Sequence, residues 1–124
     1  MISDDTIAAL ATPPGAGAIA VIRVSGSNTF SIIQKLIPKK IELSELSGYN
    51  LIHTKISDPY NGETLDDVLL SVFKSPASYT GEDVVEISCH GGPVIPYRIL
   101  SLLLSLGACS AERGEFTKRA FLND

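Results

Sequence analysis

The stretch Tyr79-Thr80-Gly81-Glu82-Asp83-Val84-Val85-Glu86-Ile87-Ser88-Cys89-His90-Gly91-Gly92-Pro93 decides how the chain folds. It opens as a turn, because Gly81 beside Glu82 and Asp83 favours a tight reversal. It continues as a strand. Val85, Ile87 and Cys89 alternate with Glu86, Ser88 and His90, which gives one apolar and one polar face. It ends at Gly91-Gly92-Pro93, where an apolar helix is expected to begin with Pro93 at its first position, since the missing N–H has no helical partner to lose there. One residue does not fit. Glu86 is a carboxylate in mid-strand, where Thr or Val would be ordinary.

Around this stretch, 124 residues predict one domain with one core. Hydrophobic residues at 44% and charged residues at 19% describe a folded chain rather than a disordered one. A net charge of −4 argues against a phosphate-tracking nucleic-acid surface, which needs a basic patch. Two cysteines without a CxxC pair argue against a disulfide framework or a zinc knuckle, and two histidines at these spacings add no metal site. The acidic N-terminus lacks the basic region of a signal peptide, and no apolar run approaches the roughly 20 residues of a membrane span. A cytoplasmic location is expected. The helical run at 115–122 is followed by Asn123 and Asp124 alone, with no Gly or Pro terminator, so the chain reads as the N-terminal piece of something longer.

Along the chain, residues 6–11 predict a short strand and 19–24 a buried β-branched one. Ser27 or Asn28 can cap a helix in which Phe30, Ile33 and Ile37 share a face and which Pro38 closes. Residues 39–48 predict a solvated connection. Residues 51–73 predict an antiparallel hairpin around Asn61-Gly62. Residues 93–106 carry Arg98 as their one charge, and a helix without a polar face predicts a subunit or interdomain interface. Gly107 suits its C-terminal cap, and 108–111 a last short strand. The fold class expected is α+β: a mixed or mainly antiparallel sheet with two helices.

Several constellations have both a chemical and a plain reading. Gly15-Ala16-Gly17-Ala18 precedes a strand rather than a helix and matches no phosphate-loop pattern, so it reads as a corner. Cys89 and His90 are neighbours on one strand and point to opposite faces, so they do not form a dyad; Cys89 reads as core. His90, at the glycine corner and on the Glu86 face, is either a ligand contact or a satisfied turn histidine. Arg23 stands in an otherwise apolar strand and poses the same problem as Glu86 with the opposite sign. The two are either a buried ion pair or the ends of a shared polar ligand, because a carboxylate accepts two parallel N–H bonds from an aminopyrimidine edge. Arg113, Lys118 and Arg119 form a local basic cluster, either a solvated helix start or a site for an anionic tail.

Five blocks carry a family resemblance: Thr12-Pro13-Pro14-Gly15, Ile22-Arg23-Val24-Ser25-Gly26, Thr80-Gly81-Glu82-Asp83, His90-Gly91-Gly92-Pro93-Val94 and Gly114-Glu115-Phe116-Thr117-Lys118-Arg119-Ala120-Phe121-Leu122-Asn123. In order and spacing they resemble the N-terminal domain of the MnmE (TrmE) tRNA-modification GTPases. The resemblance implies a fold like the folate-binding domain of aminomethyltransferases. It implies a formyltetrahydrofolate-binding and dimerisation domain over residues 1–119 and the start of a following helical region over 120–124. The ligand implied is 5-formyl- or 5,10-methylene-tetrahydrofolate; GTP, Mg2+ and K+ would belong to a GTPase domain that this chain does not carry. The partners implied are a second copy and, through the whole protein, tRNA and an MnmG-type FAD protein, with modification of the wobble uridine.

Carried over by position, the folate contacts fall on Arg23 and Glu86, with His90, Gly91, Gly92, Phe116 and Thr117 lining the site. A third contact, a lysine, would follow Asp124. The chain departs from the family pattern at Arg113, where proline is frequent. No residue is expected to be catalytic in this domain. An aminomethyltransferase-like activity would need an acid near the folate N5, and Asp83 is the one candidate. The alternative expectation is a purely structural dimerisation domain without ligand.

Overall fold

The computed structural model describes residues 5–13 and 17–123. The Gly15-Ala16 part of the glycine-rich corner lies outside them. Six strands form one sheet among the described residues: β1 (Ile7–Leu10), β2 (Ile19–Ser25), β3 (Tyr49–Ser57), β4 (Thr64–Phe73), β5 (Val84–His90) and β6 (Cys109–Ser110). Their spatial order is β3-β4-β5-β2-β1-β6. Every neighbouring pair is antiparallel except β1 and β6, which run parallel. The expected α+β class is what the chain adopts. The two expected helices are α1 (Thr29–Gln34) and α2 (Ile95–Ser105), and the helical run near the C-terminus is α3 (Glu115–Leu122).

The period-2 pattern of the quoted stretch builds the core directly. Val85, Ile87 and Cys89 of β5 point inward beside Ala20, Ile22 and Val24 of β2 and Val68, Leu70 and Val72 of β4. Phe30, Ile32 and Ile33 of α1 and Ile99 and Leu103 of α2 close over this face. Each Val, Leu, Ile or Phe side chain among them taken from water stabilises the fold by about 1.5–3 kcal/mol. The opposite face carries the other half of each alternation: Arg23, Glu86, Ser88, Ser71 and Leu69.

Three local details differ from the sequence reading; the incomplete covering of α2 is what that reading expected. Helix α2 starts later than expected. Gly92 takes a φ of +100°, which turns the chain away from helical geometry, and Pro96 rather than Pro93 occupies the first turn. Its apolar residues are not covered all round within one chain. Pro96, Ile99 and Leu103 are buried, whereas Val94, Tyr97 and Leu104 are exposed. At α1 neither Ser27 nor Asn28 caps with its side chain; the Asn28 N–H instead donates to Thr6 Oγ1 at 2.9 Å. The 39–48 connection is only partly solvated. Leu43 is buried, and Gln34 pins the segment by donating to the Ile41 carbonyl and accepting from the Leu43 N–H.

The hairpin forms as expected, with Gly62 at a φ of +77° in the connection at 58–63. At the far end of β5, a Cβ on Gly91 would lie 1.8 Å from the Gly17 carbonyl oxygen, so only glycine permits that close approach.

Cys89 is a core residue, and burial followed by the Asp66 charge pushes its thiol up to about 11. The thiolate is the reactive form, so Cys89 is chemically quiet near neutral pH. Cys109, on β6, is exposed. In the native chain at pH 7.5 a thiol reagent should modify one cysteine, Cys109, and should reach Cys89 only after denaturation. Rapid modification of both thiols in the native state would contradict the placement of Cys89.

Candidate functional site

The site begins with strand register. β2 and β5 are antiparallel neighbours, and their pairing sets Arg23 directly opposite Glu86. Arg23 Nε donates to Glu86 Oε2 at 2.7 Å. The pair is not sealed in: the two side chains are 28% and 27% exposed. Among the described residues this is the one hydrogen bond that either side chain makes, so the Arg23 Nη groups and Glu86 Oε1 remain available.

The surroundings leave room beside the pair. Ala9 is the cross-strand partner of Arg23 on β1, and Ser71 is that of Glu86 on β4. One row further along the same face, Val21 faces Ser88. Small side chains therefore flank the two charges on the open face of the sheet. Above Arg23 stand two rings. Its guanidinium carbon lies 5.6 Å from the centre of the Tyr79 ring and 5.3 Å from that of Phe116, within cation–π range. Tyr79 OH and Thr117 Oγ1 are hydrogen bonded at 3.0 Å, which ties the quoted turn to α3.

The residues singled out in the sequence fall into two groups. Arg23, Glu86, Phe116 and Thr117 come together. His90, Gly91 and Gly92 do not join them; at about 3.4 Å of rise per residue, His90 lies roughly 13 Å along β5 from Glu86. There the three line an open hollow of about 560 Å3 with Gly17, Ala18, Pro93 and Tyr97. His90 is held by Asp66, whose two carboxylate oxygens take the backbone N–H at 2.8 Å and meet Nδ1 at 2.7 Å. Its ring is nevertheless 74% exposed. Among the described residues, no group of three His, Cys, Asp or Glu side chains is placed to hold a metal ion.

Two features were missed in the sequence. Tyr79 reads as the start of a turn, and nothing in its spacing announces a ring beside Arg23. Arg119 reads as part of a basic surface cluster, yet it is the buried residue of α3. Its guanidinium donates to both oxygens of Glu82 at 3.2 Å, to Glu115 at 3.2 Å and to the Asp5 carbonyl at 2.6 Å. The reading of Arg119 as a solvated or tail-binding cation is therefore corrected. Arg113 and Lys118 are the exposed members of that cluster.

Residues 6–124 match the family described as "GTP-binding protein TrmE N-terminus". The chain is 54% identical to the tRNA modification GTPase MnmE of Moorella thermoacetica over 122 residues, covering 97% of this chain and 26% of that protein. It is 51% identical to the tRNA modification GTPase MnmE of Fervidobacterium nodosum, covering 98% of this chain and 27% of that protein. Against the Thermotoga petrophila protein of the same name identity is 52%, over 96% of this chain and 25% of that protein. The chain thus spans about a quarter of the length of these curated relatives. It belongs to the TrmE N-terminus family, the N-terminal domain of MnmE tRNA modification GTPases.

Proposed function

We propose that this chain is a folate-binding, homodimerising domain that serves a tRNA-modifying GTPase. The observation that carries the reading is the Arg23–Glu86 pair, two opposite charges in mid-sheet that stay partly open to solvent and have unused hydrogen-bonding atoms. A pteridine presents a 2-amino group and an N3–H side by side, and a carboxylate takes both. Glu86 anchors that edge. Arg23, held between Tyr79 and Phe116, meets the carbonyl or formyl oxygen or the glutamate carboxylates of 5-formyl- or 5,10-methylene-tetrahydrofolate. The small residues Ala9, Ser71 and Ser88 give a flat ring space to lie against the sheet. Thr117 lines the same end, while His90, Gly91 and Gly92 lie far enough along β5 to meet the distal part of a long ligand.

In the whole protein the folate would supply a one-carbon unit for the wobble uridine of tRNA, together with an MnmG-type FAD partner in the cytoplasm. GTP, Mg2+ and K+ would act in a separate GTPase domain. The domain itself holds and orients and is not catalytic. Its likeness to the folate domain of aminomethyltransferases is part of the same proposal.

A second reading has its own observation. The 2.7 Å contact between Arg23 and Glu86 is already a satisfied ion pair, as a purely structural dimerisation domain would need. Titration calorimetry with 5-formyltetrahydrofolate separates the two. The folate reading expects binding by the wild-type chain and a loss of at least about tenfold in Glu86→Ala, the size of a hydrogen bond to a charged group. Equal affinity of the two would remove Glu86 from the site, and no binding by the wild type would favour the structural reading.

Dimerisation rests on uncovered apolar side chains. We place the contact on the outer side of α2, where Val94, Tyr97 and Leu104 are exposed. The open face of β3 and β4 also exposes Tyr49, Leu51 and Leu69. Sedimentation at micromolar concentration should give a dimer that Tyr97→Glu converts to monomer. A wild-type monomer would contradict dimerisation. A Tyr97→Glu dimer that Leu51→Glu dissociates would move the contact to the sheet.

A further inference from the structure

Helix α3 is attached to the domain in an unusual way. No residue of α3 belongs to the hydrophobic core, and its buried residue is a charged one, Arg119. Phe121 is 80% exposed and Leu122 39%. A helix without an apolar anchor is held by its polar contacts. Three of these run to the turn that opens the quoted stretch: Thr117 to Tyr79, Asn123 Nδ2 to the Thr80 carbonyl at 3.0 Å, and Arg119 to Glu82. The third is the buried one, with side chains 3% and 15% exposed.

The Arg119–Glu82 pair also reaches the sheet. Glu82 Oε1 accepts the Ser25 hydroxyl at 2.8 Å, and Ser25 is hydrogen bonded to Thr80 at 2.7 Å. Ser25 lies on β2, two residues beyond Arg23 and on the same face. One route of charge-assisted contacts therefore joins α3 to the strand that carries Arg23. At the other end of that route, on α3 itself, Phe116 sits one turn before Arg119 with its ring beside the Arg23 guanidinium.

We propose that Arg119 is a positioning residue for the Arg23–Glu86 site: through Glu82 and Ser25 it locks α3 to β2, and so holds the Phe116 ring where it fixes the Arg23 guanidinium opposite Glu86. The effect on a ligand rests on the folate reading above; the lock itself does not. Burial makes the pair sensitive. Removing one partner leaves the other charge in a poorly solvated place, so the helix is expected to release rather than to re-pack. The released state opens α3 alone, because the sheet and its two covering helices share no core residue with it.

Hydrogen exchange on the full chain tests the lock. In Arg119→Met the amides of α3 should exchange at least about tenfold faster, while those of β5 keep their wild-type protection. The Arg23 Nε–H resonance should shift as the Phe116 ring leaves it. Glu82→Gln should move both readouts in the same direction, and it carries the measurement should Arg119→Met fail to fold. Affinity for 5-formyltetrahydrofolate supplies a second arm. Arg119→Met should weaken binding, and combining it with Phe116→Ala should weaken binding by no more than about twofold beyond Phe116→Ala alone, because both changes remove the same ring. Unchanged exchange of α3 in both charge variants, or fully additive losses in the double variant, would overturn the proposal. A wild-type chain that binds no folate would sink the folate reading, and the exchange and resonance data would still decide the lock.

Discussion

The register of β2 against β5 is the constraint on which both the core and the site depend. It pairs Ile22 with Ile87 and Arg23 with Glu86 in adjacent rows. Strand residues alternate faces, so a slip of either strand by one residue would carry its own charge, Arg23 or Glu86, into the helix-covered layer and expel its own isoleucine, Ile22 or Ile87, from it. The apolar half of the alternation makes that slip unfavourable. The same pattern that fills the core thus delivers two opposite charges to the same spot on the open face. A charge pair at a sheet centre is expensive when fully buried and weak when fully exposed. At just over a quarter exposed, this pair is shielded enough to hold its geometry and open enough to be approached.

The two faces of the sheet are finished differently. Helices α1 and α2 cover one face with Ile, Leu and Phe side chains. Among the described residues the other face receives α3, at one end, and α3 is held by hydrogen bonds and ion pairs rather than by core packing. Its role is local. It brings Phe116 to Arg23 and Thr117 to Tyr79 without adding to the core. At the opposite end of β5 the Gly91–Gly17 close approach and the Asp66–His90 contacts shape a second, separate hollow.

Much of this was legible in the residues because strands announce themselves by period. The alternation in 84–90 gave both the inward set and the outward carboxylate, and Asn61-Gly62 gave the hairpin. Arg23 and Glu86 stood out because each broke an apolar run, and the fold pairs them. What stayed hidden depends on which parts of the chain meet. Arg119 and Glu82 lie 37 residues apart, and a surface helix turn and a buried one look alike when the buried residue is an arginine. Tyr79 belongs to a turn until α3 arrives over it. The α2 start was misplaced because Gly92 takes a left-handed φ that a proline one residue later does not reveal. The contact of the Asn28 N–H with Thr6 Oγ1 at the start of α1 has the same origin, a meeting of distant segments.

The most direct measurement is the structure of the chain with 5-formyltetrahydrofolate bound. The account predicts the pteridine on the open face beside Ser71 and Ser88, its 2-amino and N3–H groups on the Glu86 carboxylate, and Arg23 still flanked by Tyr79 and Phe116. A ligand seated elsewhere, with the 2.7 Å Arg23–Glu86 contact undisturbed and Glu86 untouched, would contradict it.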